Sequence, residues 1–325
     1  MPVEIIPALG WEKCARLSNA HAELLVTLDV GPRILSYKLT GGENVLRTFP
    51  DQLGKTGEPG FQVRGGHRLW PAPENERTYV ADNSPALSEL KQPNGIRAET
   101  PPADPWQIRR EMIVSLATDT SAVMIEHRLK NEGREPTSLA SWGLTIMQPG
   151  GVEIIPQPPL GEHGAGNFLP SRALVLWSYT DLSDDRWRIG RRFITLQPKL
   201  GRKATKIGLP HRERWIAYVL PQSLFIKTFN YEDGLAYPDM GSNFETFTKD
   251  DFIELESLSP LKQLAPGESI AHTETWHLFG NTGDAPAAPA STFSAQLASL
   301  SAADPIDETA LAQWLAPYLS KIGIF

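Results

Sequence analysis

Short runs of alternating apolar and polar residues, broken by Gly, Pro, Asn and Asp, fill most of this chain. A period of two puts successive side chains on opposite faces and marks half-buried strands. The pattern predicts strands over 21–28, 33–39 and 45–47, and a hairpin over 107–116 and 122–131. More follow over 139–147, 152–155, 173–178, 193–197, 215–220 and 223–229. The clearest run is Phe252-Ile253-Glu254-Leu255-Glu256, with Ile253 and Leu255 on one side and Glu254 and Glu256 on the other. A turn at Pro266-Gly267 then leads to a last strand over 272–278. Many short strands with frequent turns predict an all-β antiparallel sandwich or barrel.

Two regions break the pattern. Residues 50–105 read as a long, loop-rich segment, and such loops are often functional. The tail holds a linker-like stretch over 284–290, a short helix over 292–300, and Asp304-Pro305 as the start of a second helix. Leu311, Trp314, Leu315, Tyr318, Leu319 and Ile322 fall at helical spacing, so this helix is expected to pack on the β body. The division is therefore 1–283 as a β-sandwich domain and 284–325 as linker and packing helix.

Composition narrows the classes. With 325 residues, 41% of them hydrophobic, the chain can bury a large core. A formal net charge of −7 points away from a nucleic-acid partner, and no apolar run is long enough to span a bilayer. The start Met1-Pro2-Val3-Glu4 lacks the basic region of a signal peptide, so a cytoplasmic protein is expected. The one cysteine, Cys14, excludes an internal disulfide and reads as a buried apolar residue. No histidine–cysteine–aspartate spacing recommends a metal site, and no phosphate-binding loop or dinucleotide fingerprint is present, so no cofactor is expected.

Three constellations carry candidate chemistry. Arg64-Gly65-Gly66-His67-Arg68-Leu69-Trp70-Pro71 combines a flexible backbone with a base, two cations and an indole. Those groups suit a sugar: guanidinium donates paired hydrogen bonds and indole stacks on a pyranose face. A plain Gly-Gly turn with solvent-facing arginines is the competing reading. The pair Glu254 and Glu256 shares one strand face, either wet or lining a pocket. Asp239, Asn243 and Glu245 lie beside aromatic residues and suit either hydroxyl recognition or a turn.

These motifs resemble the galactose mutarotase-like superfamily over about residues 20–280. The segment Arg64-Gly65-Gly66 with Trp70-Pro71 is similar to the substrate-holding loop of hexose-phosphate mutarotases. Glu254-Leu255-Glu256 with Pro266-Gly267-Glu268-Ser269 is similar to the strand bearing the general base, which places the base at Glu256. Gly66 through Glu74, Asp82-Asn83 and Trp142-Gly143-Leu144-Thr145 are shared with an uncharacterised bacterial group of that fold. The resemblance implies an antiparallel β-supersandwich acting on a small-molecule sugar or sugar derivative.

One departure stands out. The strand that carries the acid histidine in mutarotases reads Leu139 to Met147 here and has none. The expected isomerase therefore uses Glu256, or its neighbour Glu254, as base and His67 as acid, with Arg64, Arg68, Trp70, Asp239, Asn243 and Glu245 holding the sugar. A non-catalytic sugar-binding module is the alternative, and a lyase or hydrolase on the same fold is a third. All require the 64–71 segment and the acidic strand to meet at one cavity.

Overall fold

Apolar residues at alternate positions give each strand one face to bury, and two such sheets cover each other. A computed structural model of the chain describes residues 3–91, 93–100, 106–164, 166–280, 292–302 and 305–324. Among the described residues the strands form two antiparallel sheets, of eleven and ten strands. Leu24, Val26, Tyr37, Ile125, Leu255 and Trp276 are fully buried in the core between them. This is the expected β-supersandwich with its C-terminal helix.

The middle of the eleven-stranded sheet positions the site. Strand Thr137–Ile146 lies between His67–Ala72 and Phe252–Leu258. In that register Trp142 stands opposite Trp70 and Leu258, and Leu144 opposite Arg68 and Glu256. Phe244–Lys249 comes next, with Glu245 opposite Glu256, and Thr205–Leu209 follows, with Lys206 opposite Phe247. Glu254, Glu256, Arg68, Trp70 and Lys206 all line one cavity on the outer face of this sheet.

The segment 50–105 is loop-rich as expected, but it also contains strands that its pattern did not announce, His67–Ala72, Leu87–Lys91 and Gly95–Glu99. All six residues of His67–Ala72 are buried, so the strand has no wet face to produce polar alternation. Pro71 also argues against a central strand because it offers no N–H; opposite it, the Ser141 N–H donates to Ser259 Oγ at 2.8 Å. Thr205–Leu209 escaped notice for the same reason, being buried throughout.

Cys14 is buried as expected, its Sγ 3.5 Å from the Ala8 carbonyl oxygen, and burial pushes its thiol up to about 11. At the other end, helices Phe293–Ala302 and Glu308–Lys321 cover the outer face of the ten-stranded sheet. Leu311, Trp314, Leu315 and Tyr318 pack with Val152, Trp215 and Leu224. The linker expected over 284–290 and the cap expected at Asp304 lie outside the described residues. The second helix is capped by Asp307, whose Oδ1 accepts from Thr309 N at 3.1 Å and Ala310 N at 3.0 Å. Asp307→Ala should therefore destabilise the fold by about 1 kcal/mol; an unchanged midpoint in chemical denaturation would contradict this. No helix among the described residues is long and apolar enough to cross a membrane.

Candidate functional site

The strand period decides which side chains reach the cavity. Ile253 and Leu255 enter the inter-sheet core, so Glu254 and Glu256 face outward. In His67–Ala72, Leu69 joins the core while Arg68 and Trp70 face the same cavity as the two glutamates. That cavity measures about 220 Å³. Trp70, Trp142, Phe61, Tyr79 and Tyr179 give it aromatic walls, and Lys206 and Glu74 complete its ionisable lining.

Its charges are paired. Arg68 Nη2 lies 2.7 Å from Glu254 Oε1, and the guanidinium stacks 4.1 Å from the Trp70 ring centre. Lys206 Nζ donates to Glu256 Oε2 at 2.9 Å and forms an ion pair with Glu245 Oε2 at 2.6 Å. The ammonium sits between two indoles, 4.7 Å from the ring centres of Trp142 and Trp177. Trp142 Nε1 donates to the same Glu256 Oε2 at 3.0 Å. Glu256 Oε1 has no hydrogen-bond partner among the described residues although it is buried. A buried acceptor left unpaired is unfavourable, so this oxygen is poised to receive a ligand's hydrogen bond.

Burial raises the Glu256 carboxyl above its ordinary range, against the opposing pull of Lys206. Burial raises Glu245 much further, again against Lys206, with Glu256 and Asp239 adding to the rise. Lys206 feels the reverse balance: burial disfavours its charge, but Glu256 and Glu245 together outweigh that and raise its proton affinity.

The structure thus brings Arg68, Trp70, Glu254 and Glu256 together at one cavity. Glu245 lies behind Lys206, fully buried. The other expected ligand-holding residues have structural partners. Arg64 is fully buried, with Nη2 2.8 Å from Glu58 Oε2 and 2.9 Å from Asn83 Oδ1, and Nη1 donating to the Gln52 carbonyl at 2.6 Å. Asn243 Oδ1 accepts from His211 N at 2.6 Å and its Nδ2 donates to the His211 and Asn230 carbonyls. Asp239 sits in a left-handed turn at φ 49° and does not line the cavity.

His67 is the main correction. It projects to the opposite face from Arg68 and is sealed between the sheets, so it does not meet Glu256 in the cavity. Its Nε2 lies 2.6 Å from His127 Nε2, and its Nδ1 lies 2.8 Å from Thr145 Oγ1. His127 Nδ1 faces the His272 carbonyl at 3.1 Å; a carbonyl only accepts, so Nδ1 carries the proton and Nε2 is bare. His67 Nε2 must then donate, and its Nδ1 accepts from Thr145. The relay closes with both rings neutral, and burial lowers the proton affinity of both.

Ligand atoms of His67, His127 and Glu274 lie within 4.8 Å of one another. Two imidazole nitrogens on one tetrahedral zinc ion would stand about 3.3 Å apart, so the 2.6 Å separation fits a shared proton. Glu274 Oε1 is moreover held by Lys227 at 2.9 Å and by Ser257 at 2.5 Å. Gly143 makes room for this cluster: a Cβ there would lie 2.8 Å from Glu274 Oε1 and 3.2 Å from each of the two imidazoles.

A larger groove of about 760 Å³ runs beside the C-terminal helix, between Phe193, Trp215 and Leu315. Its lining residues leave no buried acceptor unpaired among the described residues, so the smaller cavity is the stronger site.

Sequence reading missed Lys206 and Tyr179, which line the cavity. No local pattern marked Lys206, because Thr205–Leu209 is buried throughout and shows no polar alternation.

No family model matches the chain, and no curated protein matches it. Solved structures do. One is a galactose mutarotase-like protein from Lactobacillus casei, at 12% identity and TM-score 0.54, over 82% of this chain and 100% of that one. Another is a galactose mutarotase related enzyme from Lactobacillus acidophilus, at 10% identity and TM-score 0.54, over 83% and 98%. A galactose mutarotase-like protein from Clostridium acetobutylicum matches at 11% identity and TM-score 0.52, over 86% and 98%. At these identities the likeness is one of architecture, and the chain has the fold of galactose mutarotase-like proteins.

Proposed function

We propose that this chain is a carbohydrate-active protein that binds a single sugar ring in the Glu254–Glu256 cavity and exchanges its anomers, as an aldose 1-epimerase does. The observation that carries the reading is the bare, buried Glu256 Oε1 in an aromatic-walled cavity. A sugar supplies what that site lacks: hydroxyl donors for the oxygen and C–H faces for the indoles. The cavity's 220 Å³ is below the roughly 300–1,000 Å³ of drug-sized sites, which suits one ring rather than a chain. Glu256 takes the proton of the anomeric hydroxyl, and Arg68 with Glu254 orients neighbouring hydroxyls.

The likeness to galactose mutarotase-like proteins supports the substrate class. A second reading, sugar binding without catalysis, is favoured by one observation: among the described residues no histidine lines the cavity. Calorimetric titration with a panel of aldoses, followed by polarimetry on those that bind, separates the two. Saturable binding with faster anomer exchange supports the isomerase. Binding without acceleration leaves the binding module, and no binding rejects both.

A further inference from the structure

We propose that Lys206 is the general acid of this site: it protonates the ring oxygen of the sugar while Glu256 removes the anomeric proton. The proposal rests on the isomerase reading and supplies the partner that reading lacks.

Elimination leads to Lys206. The cavity's other proton carriers are unsuited. Arg68 is a guanidinium, which does not surrender its proton at neutral pH, and it is engaged by Glu254. Tyr79 already donates its hydroxyl proton to Glu74. Tyr179 lines the cavity, but among the described residues no hydrogen bond joins it to the proposed base. Lys206 lines the cavity and is in direct contact with the proposed base. Its ammonium has three N–H bonds. Glu256 and Glu245 engage two, which leaves one for a bound sugar.

The objection is that a lysine held by two carboxylates is a weak acid. The geometry answers it. The charge that secures the lysine's proton belongs to Glu256, the group that accepts the sugar's proton. Burial raises the Glu245 carboxyl well above its ordinary range, and of the two carboxylates Glu256 exerts the larger pull on the ammonium. Once Glu256 is neutralised, Lys206 is a buried cation that has lost its stronger counter-charge. Its ammonium is then less favoured and its proton is given up more readily. Uptake at one group thus drives release at the other, across one 2.9 Å hydrogen bond.

The proton and bond balance closes. The anomeric O–H gives its proton to Glu256 Oε1 and its electron pair becomes the C1=O bond. The bond from C1 to the ring oxygen breaks, its electrons stay on that oxygen, and the oxygen takes a proton from Lys206. The open-chain aldehyde then rotates about the bond from C1 to C2. Closure on the other face reverses each transfer, so the lysine is ionised again with no external proton.

The test is anomer exchange by polarimetry for wild type, Lys206→Arg and Lys206→Ala, on an aldose that wild type binds. Arginine keeps the charge and can hold both glutamates but cannot donate. The expected result is a loss of about 10²-fold in kcat for Lys206→Arg, with sugar affinity within about threefold. Added methylammonium should restore part of the Lys206→Ala rate in proportion to its concentration. Near-wild-type kcat in Lys206→Arg would overturn the assignment, because it would reduce Lys206 to a charge that positions Glu256. If Lys206→Arg fails to fold, the methylammonium arm decides alone: absence of rescue in a folded Lys206→Ala protein counts against the lysine. Binding without acceleration by wild type itself overturns the isomerase reading instead, which the variants are not needed to show.

Discussion

Glu256→Gln is expected to lower the rate of anomer exchange by about 10³-fold while leaving sugar affinity within about threefold. Glutamine keeps the length and planarity of the side chain, and its carbonyl can still accept the 3.0 Å bond from Trp142 Nε1. Lys206 keeps its contact to Glu245 at 2.6 Å, so the cavity wall should hold its shape. What is lost is basicity. Burial raises the Glu256 carboxyl, which brings its proton affinity closer to that of a useful base near neutral pH. An amide has no such capacity, so the loss should appear in kcat and not in KM. Glu254→Gln should do less to kcat, because Glu254 is engaged by Arg68 and serves orientation. Unchanged turnover in Glu256→Gln, measured by polarimetry, would remove the base from this cavity. An equal fall in affinity and rate would point to a binding role alone.

How the sequence presented this site follows from the same strand geometry. Phe252–Leu258 was legible because its two faces meet different surroundings: Ile253 and Leu255 enter the core, while Glu254 and Glu256 line a cavity. His67–Ala72 was not, because both of its faces are buried. Treated as a loop, the segment offers His67, Arg68 and Trp70 to one ligand. Treated as a strand, period two splits it at once, with His67 beside Leu69 and Arg68 beside Trp70. The glycines misled for a related reason. A close backbone approach was foreseeable at Gly65-Gly66, but its partner is the chain itself. A Cβ on Gly65 would lie 2.2 Å from the Arg47 carbonyl oxygen, and one on Gly66 2.1 Å from that of Ile34.

Arg64 and Asn243 show the limit of reading polar residues near aromatic ones as ligand contacts. Both are fully buried and spend their donors on loop carbonyls and nearby side chains. Asp82 and Asn83 do similar work: Asp82 holds the buried Arg33 at 3.0 and 3.1 Å, and Asn83 binds Arg64 and two carbonyls. Such long-range staples depend on which loops become neighbours, which local patterning does not encode. Lys206 was invisible for the converse reason: its value comes from two carboxylates and two indoles on other segments.

Glu153→Gln is expected to stabilise the fold by about 3 kcal/mol at pH 7 and roughly 5 kcal/mol at pH 9. Glu153 is fully buried on strand Val152–Pro156; its Oε2 accepts from Thr246 Oγ1 at 2.8 Å, and its Oε1 has no partner among the described residues. Burial raises its carboxyl to about 8, against the Thr246 hydrogen bond and Lys227, with Glu256 adding to the rise. The folded chain therefore keeps a proton that the unfolded chain loses above its ordinary value of 4.5. Stability must fall as pH rises from about 4.5 to about 8, by ~1.4 kcal/mol per unit, and level off beyond. Glutamine carries no such proton, and its amide stands where the protonated carboxyl stood. The buried histidines work in the opposite sense. His211 and His277 are lowered to about 4 and His272 to about 3, chiefly by burial, so their contribution is present above about 6.5 and is lost on acidification. They change the wild type and the variant alike. The difference between the two proteins thus isolates Glu153, and urea unfolding at pH 5, 7 and 9 should show it widening with pH. A difference independent of pH would mean that Glu153 is ionised in the folded state, with Lys227 as its counter-charge.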